Sequence, residues 1–166
     1  MHGDDDVSEE RIIRSMVGRS LDNRFPDHES TIGEELFRVE NWTVYHPQDT
    51  ERKVVDGASL VVHAGEVVGI AGLMGAGRTE LAMSLFGRSY GTKISGETYV
   101  RGKQVQLSTP RAAIAAGVAY ASEDRKRYGL NLIDDIKHNT TAAALWKIAK
   151  RGVVDGGEEY VVAERF

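Results

Sequence analysis

The 166-residue chain contains no cysteine. That excludes a disulfide framework, a thiolate metal site and a cysteine nucleophile. Proline is scarce, at 3 residues, while glycine reaches 18. The balance points to tight turns and close backbone approaches more than to disorder. Long apolar runs are missing: the longest uncharged stretches, Val67–Gly77 and Ala112–Ser122, have 11 residues each, against roughly 18 or more for a bilayer-spanning helix. The N-terminus opens Met-His-Gly-Asp-Asp-Asp, the wrong charge for a signal or transit peptide, so a cytoplasmic chain is expected. No dense basic stripe occurs and the net charge is -4, so no nucleic-acid partner is expected. The five histidines (His2, His28, His46, His63, His138) form no i, i+4 pair, which argues against a histidine metal centre. Asn-Lys-x-Asp and Asp-x-x-Gly segments are both absent, which excludes an ordinary GTPase.

What is present suits about one domain with a real core. Residues 1–35 hold 10 acids and 4 bases, whereas residues 36–166 hold 15 acids and 17 bases. The acidic head therefore reads as a separate piece, residues 1–33. Within it, Ser8 caps a short helix with Ile12, Ile13, Met16 and Val17 as its apolar stripe, Gly18 stops it, and polar Arg19–Gly33 with Phe25-Pro26 is a linker.

From residue 34 onward the pattern turns β-rich. Leu36–Tyr45 and Ala58–Val62 read as strands around a polar loop, His46–Arg52. Glu66–Ala71 is apolar after its first residue, as expected of a fully buried strand, and Val118–Ser122 is a second such candidate. Arg78–Phe86 is an amphipathic helix stopped by Gly87. Ser95–Val100 and Lys103–Leu107 form a hairpin, and Thr109-Pro110 opens a helix that ends near Gly117. His138–Lys150 and Glu158–Phe166 are helical, and the last of these ends without a capping signal.

The main chemical signal is Gly72-Leu73-Met74-Gly75-Ala76-Gly77-Arg78-Thr79. It has the form G-x-x-x-x-G-[basic]-[ST] between an expected strand and a helix. Small residues (Gly72, Gly75, Ala76, Gly77) let backbone N–H groups turn inward around phosphates, and the helix N-terminus adds partial positive charge. Arg78 reaches the β- and γ-phosphates, and the Thr79 hydroxyl suits Mg²⁺. The competing reading is a glycine-rich turn needed only for packing. Two departures stand out: Arg78 replaces the usual lysine, bulkier and planar at a fitted phosphate site, and Glu80 sets a carboxylate beside an anion site. Both suggest reduced or altered competence.

Residues 65–81, Gly-Glu-Val-Val-Gly-Ile-Ala-Gly-Leu-Met-Gly-Ala-Gly-Arg-Thr-Glu-Leu, resemble the second nucleotide-binding half of bacterial monosaccharide ABC-transporter ATPases of the ribose/xylose/galactose type. Met16-Val17-Gly18-Arg19, Phe25-Pro26, Phe86-Gly87, Ser95-Gly96-Glu97, Ser122-Glu123-Asp124-Arg125-Lys126 and Gly129-Leu130 fit in order. The resemblance covers nearly the whole chain. It implies an α/β P-loop NTPase core with an antiparallel β subdomain, residues 34–166, preceded by an inter-domain helix and linker. It implies ATP and Mg²⁺ as ligands. Tyr45, 27 residues before Gly72, falls where an aromatic stacks on adenine; Trp42 and a plain strand-end role for Tyr45 stay open. Val55 packs on the same base or in the core. Glu123 resembles the position that touches Mg²⁺ and the attacking water, with an ion pair to Arg125 or Lys126 as the rival. Asp124–Leu130 resembles the segment that contacts the membrane permease, with a solvated basic turn as the rival.

A Leu-Ser-Gly-Gly-type signature loop, an apolar strand ending in Asp-Glu and a later switch histidine are absent. The family places these after Phe166, so the chain reads as C-terminally truncated, without catalytic residues of its own. The resemblance then implies the ATP-binding subunit of a sugar importer, working with another nucleotide-binding half and a transmembrane permease at the inner face of the membrane. Missing sheet strands would expose apolar surface and favour self-association. The alternative is a non-hydrolysing regulatory or interaction module with a degenerate phosphate loop.

Overall fold

The computed structural model describes residues 9–17 and 30–166. The expected Ser8 cap, the Gly18 stop, most of the linker and Phe25-Pro26 lie outside the described residues. The first helix, α1 (Glu9–Val17), forms where the 3.6-residue apolar spacing predicts it. Its Ile12, Met16 and Val17 are exposed.

The β-rich section is one antiparallel sheet in the order β2-β1-β3-β4. Its strands are β1 (Glu35–Tyr45), β2 (Lys53–His63), β3 (Thr92–Val100) and β4 (Lys103–Val105). β2 begins five residues before the expected Ala58, because Lys53 and Val55 pair with Tyr45 and Val44 across the His46–Arg52 loop. In β1 the register shifts between Val39 and Trp42. Asn41 takes φ 51° there, and a Cβ on Gly96 of β3 would crowd the Asn41 carbonyl and the Trp42 Cα. This bulge keeps Val39, Trp42 and Val44 on one face.

Helix α2 (Arg78–Leu85) covers that face. The core joins Val39, Trp42, Val44 and Val55 of the sheet to Leu81 and Leu85 of α2. One buried polar pair locks the contact: the Trp42 indole N–H donates to Ser84 Oγ at 2.9 Å, and Ser84 donates to the Leu81 carbonyl at 2.8 Å. The backbone at Gly87, just past α2, touches the entry to α3 (Pro110–Ala115). Thr109 caps α3 by accepting from the Ala112 N–H, and Gly117 in left-handed backbone (φ 87°) ends it, both as the sequence predicts.

Three expectations are corrected. Neither Glu66–Ala71 nor Val118–Ser122 is a strand, and Val67 is 91% exposed and Ile70 50%. A strand exists by pairing, and among the described residues no strand lies beside either run. The antiparallel β subdomain is thus formed, whereas the parallel sheet of a P-loop core is not assembled by the described residues. The expected single helix over His138–Lys150 is also divided. It becomes α4 (Ile136–Thr141), a 3₁₀ turn (Ala142–Ala144), α5 (Leu145–Ile148) and then a hairpin of β5 (Ala149–Lys150) with β6 (Val153–Val154). Arg151 and Gly152 both adopt positive φ, a two-residue hairpin turn that draws Ala149 and Lys150 out of the helix. The final helix, α6 (Gly156–Ala163), starts two residues early because Asp155 caps it by accepting from the Gly157 and Glu158 N–H groups.

Helices α4 and α6 meet through Glu159, which is 3% exposed. Its carboxylate pairs with Lys137 Nζ at 2.9 Å, accepts from Thr141 Oγ1 at 2.9 Å and lies 3.6 Å from His138 Nε2. Among the described residues, no helix is long and apolar enough to cross a membrane.

Two stability effects follow from these contacts. Ser84→Ala leaves the buried Trp42 N–H without its acceptor and is expected to cost about 1–3 kcal/mol in urea denaturation; a loss under about 0.5 kcal/mol would show that the bond contributes little. The Lys137 ammonium, and after it the Thr141 hydroxyl, hold the Glu159 carboxyl below its usual range. A lowered carboxyl contributes stability at neutral pH that is lost as pH falls from about 4.5 through the lower folded-state value. Amide protection in α6 should therefore drop over that acid window, and Glu159→Gln should flatten the dependence.

Candidate functional site: the glycine loop and its surroundings

Helix α2 starts immediately after Gly77, whose φ of 85° is left-handed. A side chain there would also overlap the Val54 carbonyl oxygen of β2. Glycine is therefore required twice, by conformation and by the close approach of the loop to the sheet. A side chain at Gly72 would meet Ala76 Cβ at 2.9 Å and Arg78 Cδ at 3.6 Å. The Arg78 chain thus folds back over the start of the loop. The Ala76 N–H donates to the Leu73 carbonyl at 3.1 Å, closing the turn. No side chain caps α2. Its first-turn N–H groups, which have no intrahelical acceptor, are open to water or an external anion.

Beneath the loop lies a cavity of ≈ 240 Å³ bordered by Val54, Asp56, Ile70, Gly77, Arg78 and Leu81. Val55 also lines it and is 8% exposed within the core. Val55 therefore touches both the core and the underside of the loop. Gly72, Gly75, Ala76 and Arg78 are exposed, and Thr79 and Glu80 are half-buried. Among the described residues Arg78 has no carboxylate partner. Burial first, and the Glu80 carboxylate second, push the Tyr90 phenol above its ordinary range, with Arg52 opposing. Glu80 thus acts on the Tyr90 and Arg52 side of α2.

The most informative contact joins residues 44 positions apart. The Thr79 hydroxyl donates to Glu123 Oε1 at 2.7 Å. Glu123 makes no ion pair with Arg125 or Lys126 among the described residues, so its rival role is not realised. These two side chains offer a hydroxyl and a carboxylate oxygen at the loop's rim, the hard donors that Mg²⁺ takes alongside phosphate oxygens and water. No group of three His, Cys, Asp or Glu able to hold a metal occurs among the described residues. Any cation here would complete its shell with water or a bound phosphate.

Tyr45 ends β1, half-buried. Its cross-strand neighbours are Lys53 and Thr92. Trp42, the competing aromatic, is 3% exposed and committed to Ser84. The Asp124–Leu130 segment is an exposed loop with one π-helical turn, Arg125–Gly129, where Asp124 accepts from the Arg127 N–H at 3.1 Å. Sequence reasoning missed Lys93, whose ammonium stands over the Tyr45 ring at 5.4 Å. No spacing signals it; only the pairing of Tyr45 with Thr92 brings it there.

The chain is 57% identical over 98% of its length to an L-arabinose transport ATP-binding protein from Geobacillus stearothermophilus. It is 46% identical over 95% of its length to a xylose import ATP-binding protein from Geobacillus kaustophilus, and 42% over 98% to one from Thermoanaerobacter pseudethanolicus. These relatives are named for arabinose transport and xylose import. The chain spans about a third of these relatives, 32%, 31% and 32% of their lengths respectively. No family model and no solved structure matches it.

The two left-handed glycines should respond differently. Gly77→Ala combines backbone strain with overlap on Val54 and is expected to cost more than about 2 kcal/mol. Gly75→Ala meets nothing within 4 Å and should cost about 1 kcal/mol from its φ of 80° alone. Equal losses in chemical denaturation would mean that the close approach to Val54 is not tight.

Proposed function

We propose that this chain binds Mg²⁺-ATP through Gly72–Thr79 as part of the second nucleotide-binding half of a sugar importer's ATP-binding protein. The observation that carries the reading is the Thr79–Glu123 contact at the N-terminus of an uncapped helix. Two oxygen donors remote in sequence converge where a phosphate would meet the first-turn N–H groups. Arg78, exposed and without a carboxylate partner among the described residues, supplies the cation for the β- and γ-phosphates. Tyr45 stacks on the base, with Val55 behind the loop. Glu80 tunes the site by its charge. Thr79 and Glu123 would hold Mg²⁺, which would supply charge neutralisation for the phosphates. In the intact importer the exposed Asp124–Leu130 loop meets the permease, and the subunit sits peripherally at the inner face of the membrane beside a second nucleotide-binding half. Sugar specificity lies with other components.

The reading also explains a division of labour. Residues 1–166 contain no Leu-Ser-Gly-Gly loop and no apolar strand ending in Asp-Glu, so they orient phosphates without a group to activate water. The chain is expected to bind Mg²⁺-ATP and to release no phosphate above background. Turnover near about 1 s⁻¹, abolished by Thr79→Ala, would overturn that division.

Calorimetry tests the binding site directly. Thr79→Ala should remove most of the Mg²⁺ enhancement of ATP affinity while leaving the fold intact, since the first turn of a helix accepts alanine. Glu123→Gln should weaken the same enhancement by a smaller factor, because an amide oxygen still offers a neutral ligand. No detectable binding of the unaltered chain at millimolar ATP would instead favour the non-hydrolysing interaction module. Arg78→Lys should change affinity by less than about tenfold, roughly 1.4 kcal/mol.

A further inference from the structure

Lys93 occupies a position that the phosphate loop does not explain. It follows Thr92, the β3 partner of Tyr45, and takes a left-handed φ of 47°, rare for a residue with a side chain. Its ammonium donates to the Thr50 carbonyl at 3.1 Å and to Glu51 at 3.4 Å. Both acceptors belong to the loop between β1 and β2. The same ammonium lies 5.4 Å from the Tyr45 ring centroid, within cation–π range. Glu51 is 91% exposed, so that ion pair is screened and weak. The carbonyl and the ring are the specific contacts.

We propose that Lys93 is a positioning residue for Tyr45, holding the ring by one face so that the other is presented to the purine base of a nucleotide. This rests on the reading of Tyr45 as the stacking residue. The geometry supports it from the opposite side as well. Val44, next to Tyr45, pairs with Val55 of β2, and the neighbouring Val54 carbonyl abuts Gly77. The Tyr45 backbone and the phosphate loop are thus fastened to one short stretch of sheet. A ring fixed in angle lets one rigid ligand reach both, because no rotamer entropy is lost on binding. Lys93 is tied to the strand end and to the loop, so it acts through Tyr45 and does not itself follow the phosphates.

The test compares Mg²⁺-ATP with Mg²⁺-tripolyphosphate, which lacks the base, on the full chain. Lys93→Met should weaken ATP about two- to fivefold and leave tripolyphosphate unchanged, and Lys93→Arg should restore ATP binding. If Tyr45→Leu lowers ATP selectively but Lys93→Met does not, the inference about Lys93 fails alone. Equal loss of both ligands in Lys93→Met makes Lys93 a phosphate cation and also overturns it. If Tyr45→Leu leaves the ratio of the two affinities unchanged, the stacking reading fails and the inference falls with it. A nucleotide-free measurement decides independently: the Lys93 ε-methylene protons should show an upfield ring-current shift that Tyr45→Leu abolishes, and absence of that shift overturns the proposal.

Discussion

Helix α2 is held to the sheet at two points, and the site depends on both. At its N-terminus Gly77 abuts the Val54 carbonyl, and near its C-terminus Ser84 accepts the Trp42 N–H. The two contacts fix position and roll together, because α2 is only eight residues long. Leu81 between them and Leu85 beside Ser84 fill the core against Val39, Val44 and Val55. The uncapped amides, Arg78 and Thr79 are then carried on a helix that cannot tilt without opening a buried hydrogen bond. The rest of the rim is assembled against this reference. Glu123 arrives from 44 residues away to meet Thr79, and Tyr45 arrives along β1 from the strand that carries Trp42.

Local features were legible in the residues because local chemistry sets them. Alternation marks β1, the Arg101-Gly102 turn marks the hairpin, Thr109-Pro110 marks a capped helix, and the spacing of Gly72 to Thr79 marks a loop feeding a helix. What failed was pairing. Val67–Ala71 has the composition of a buried strand, but composition gives only a demand for partners, and no described strand meets it. Val118–Ser122 failed for the same reason. In the candidate site, Thr79 and Glu123 were each visible as separate residues, while their contact is a tertiary fact. Lys93 and Ser84 were invisible, because each acts through a neighbour that only the sheet register or the helix packing supplies.

The exposed apolar run before the loop bears on how the site is supported. In the described residues the loop's C-terminal side is anchored through Gly77, but its N-terminal side, from Val67 to Gly72, lies largely in solvent. Only Ile70 and Ala71 border the small cavity above β2. A loop pinned at one end loses more entropy when it closes around a ligand than one pinned at both. Pairing of Val67–Ala71 with further strands would therefore raise nucleotide affinity without adding any contact to the nucleotide, by fixing the backbone that leads into Gly72.

The charges at the rim set the remaining condition. Arg78 folds over the start of the loop, while Glu80 and Glu123 place two carboxylates in the first turn of α2 and against Thr79. A triphosphate approaching this rim alone meets more negative than positive side-chain charge, and the uncapped amides offset only a fraction of an elementary charge. On the proposed reading, Glu123 and Thr79 would hold a divalent cation, whose charge would offset the carboxylates at the rim. Glu80 adds to the same requirement, whereas Arg78 carries the charge a lysine would. On that reading the rim would favour a metal–nucleotide complex over the bare anion, and its affinity would depend on the metal more steeply than in a loop flanked by neutral side chains.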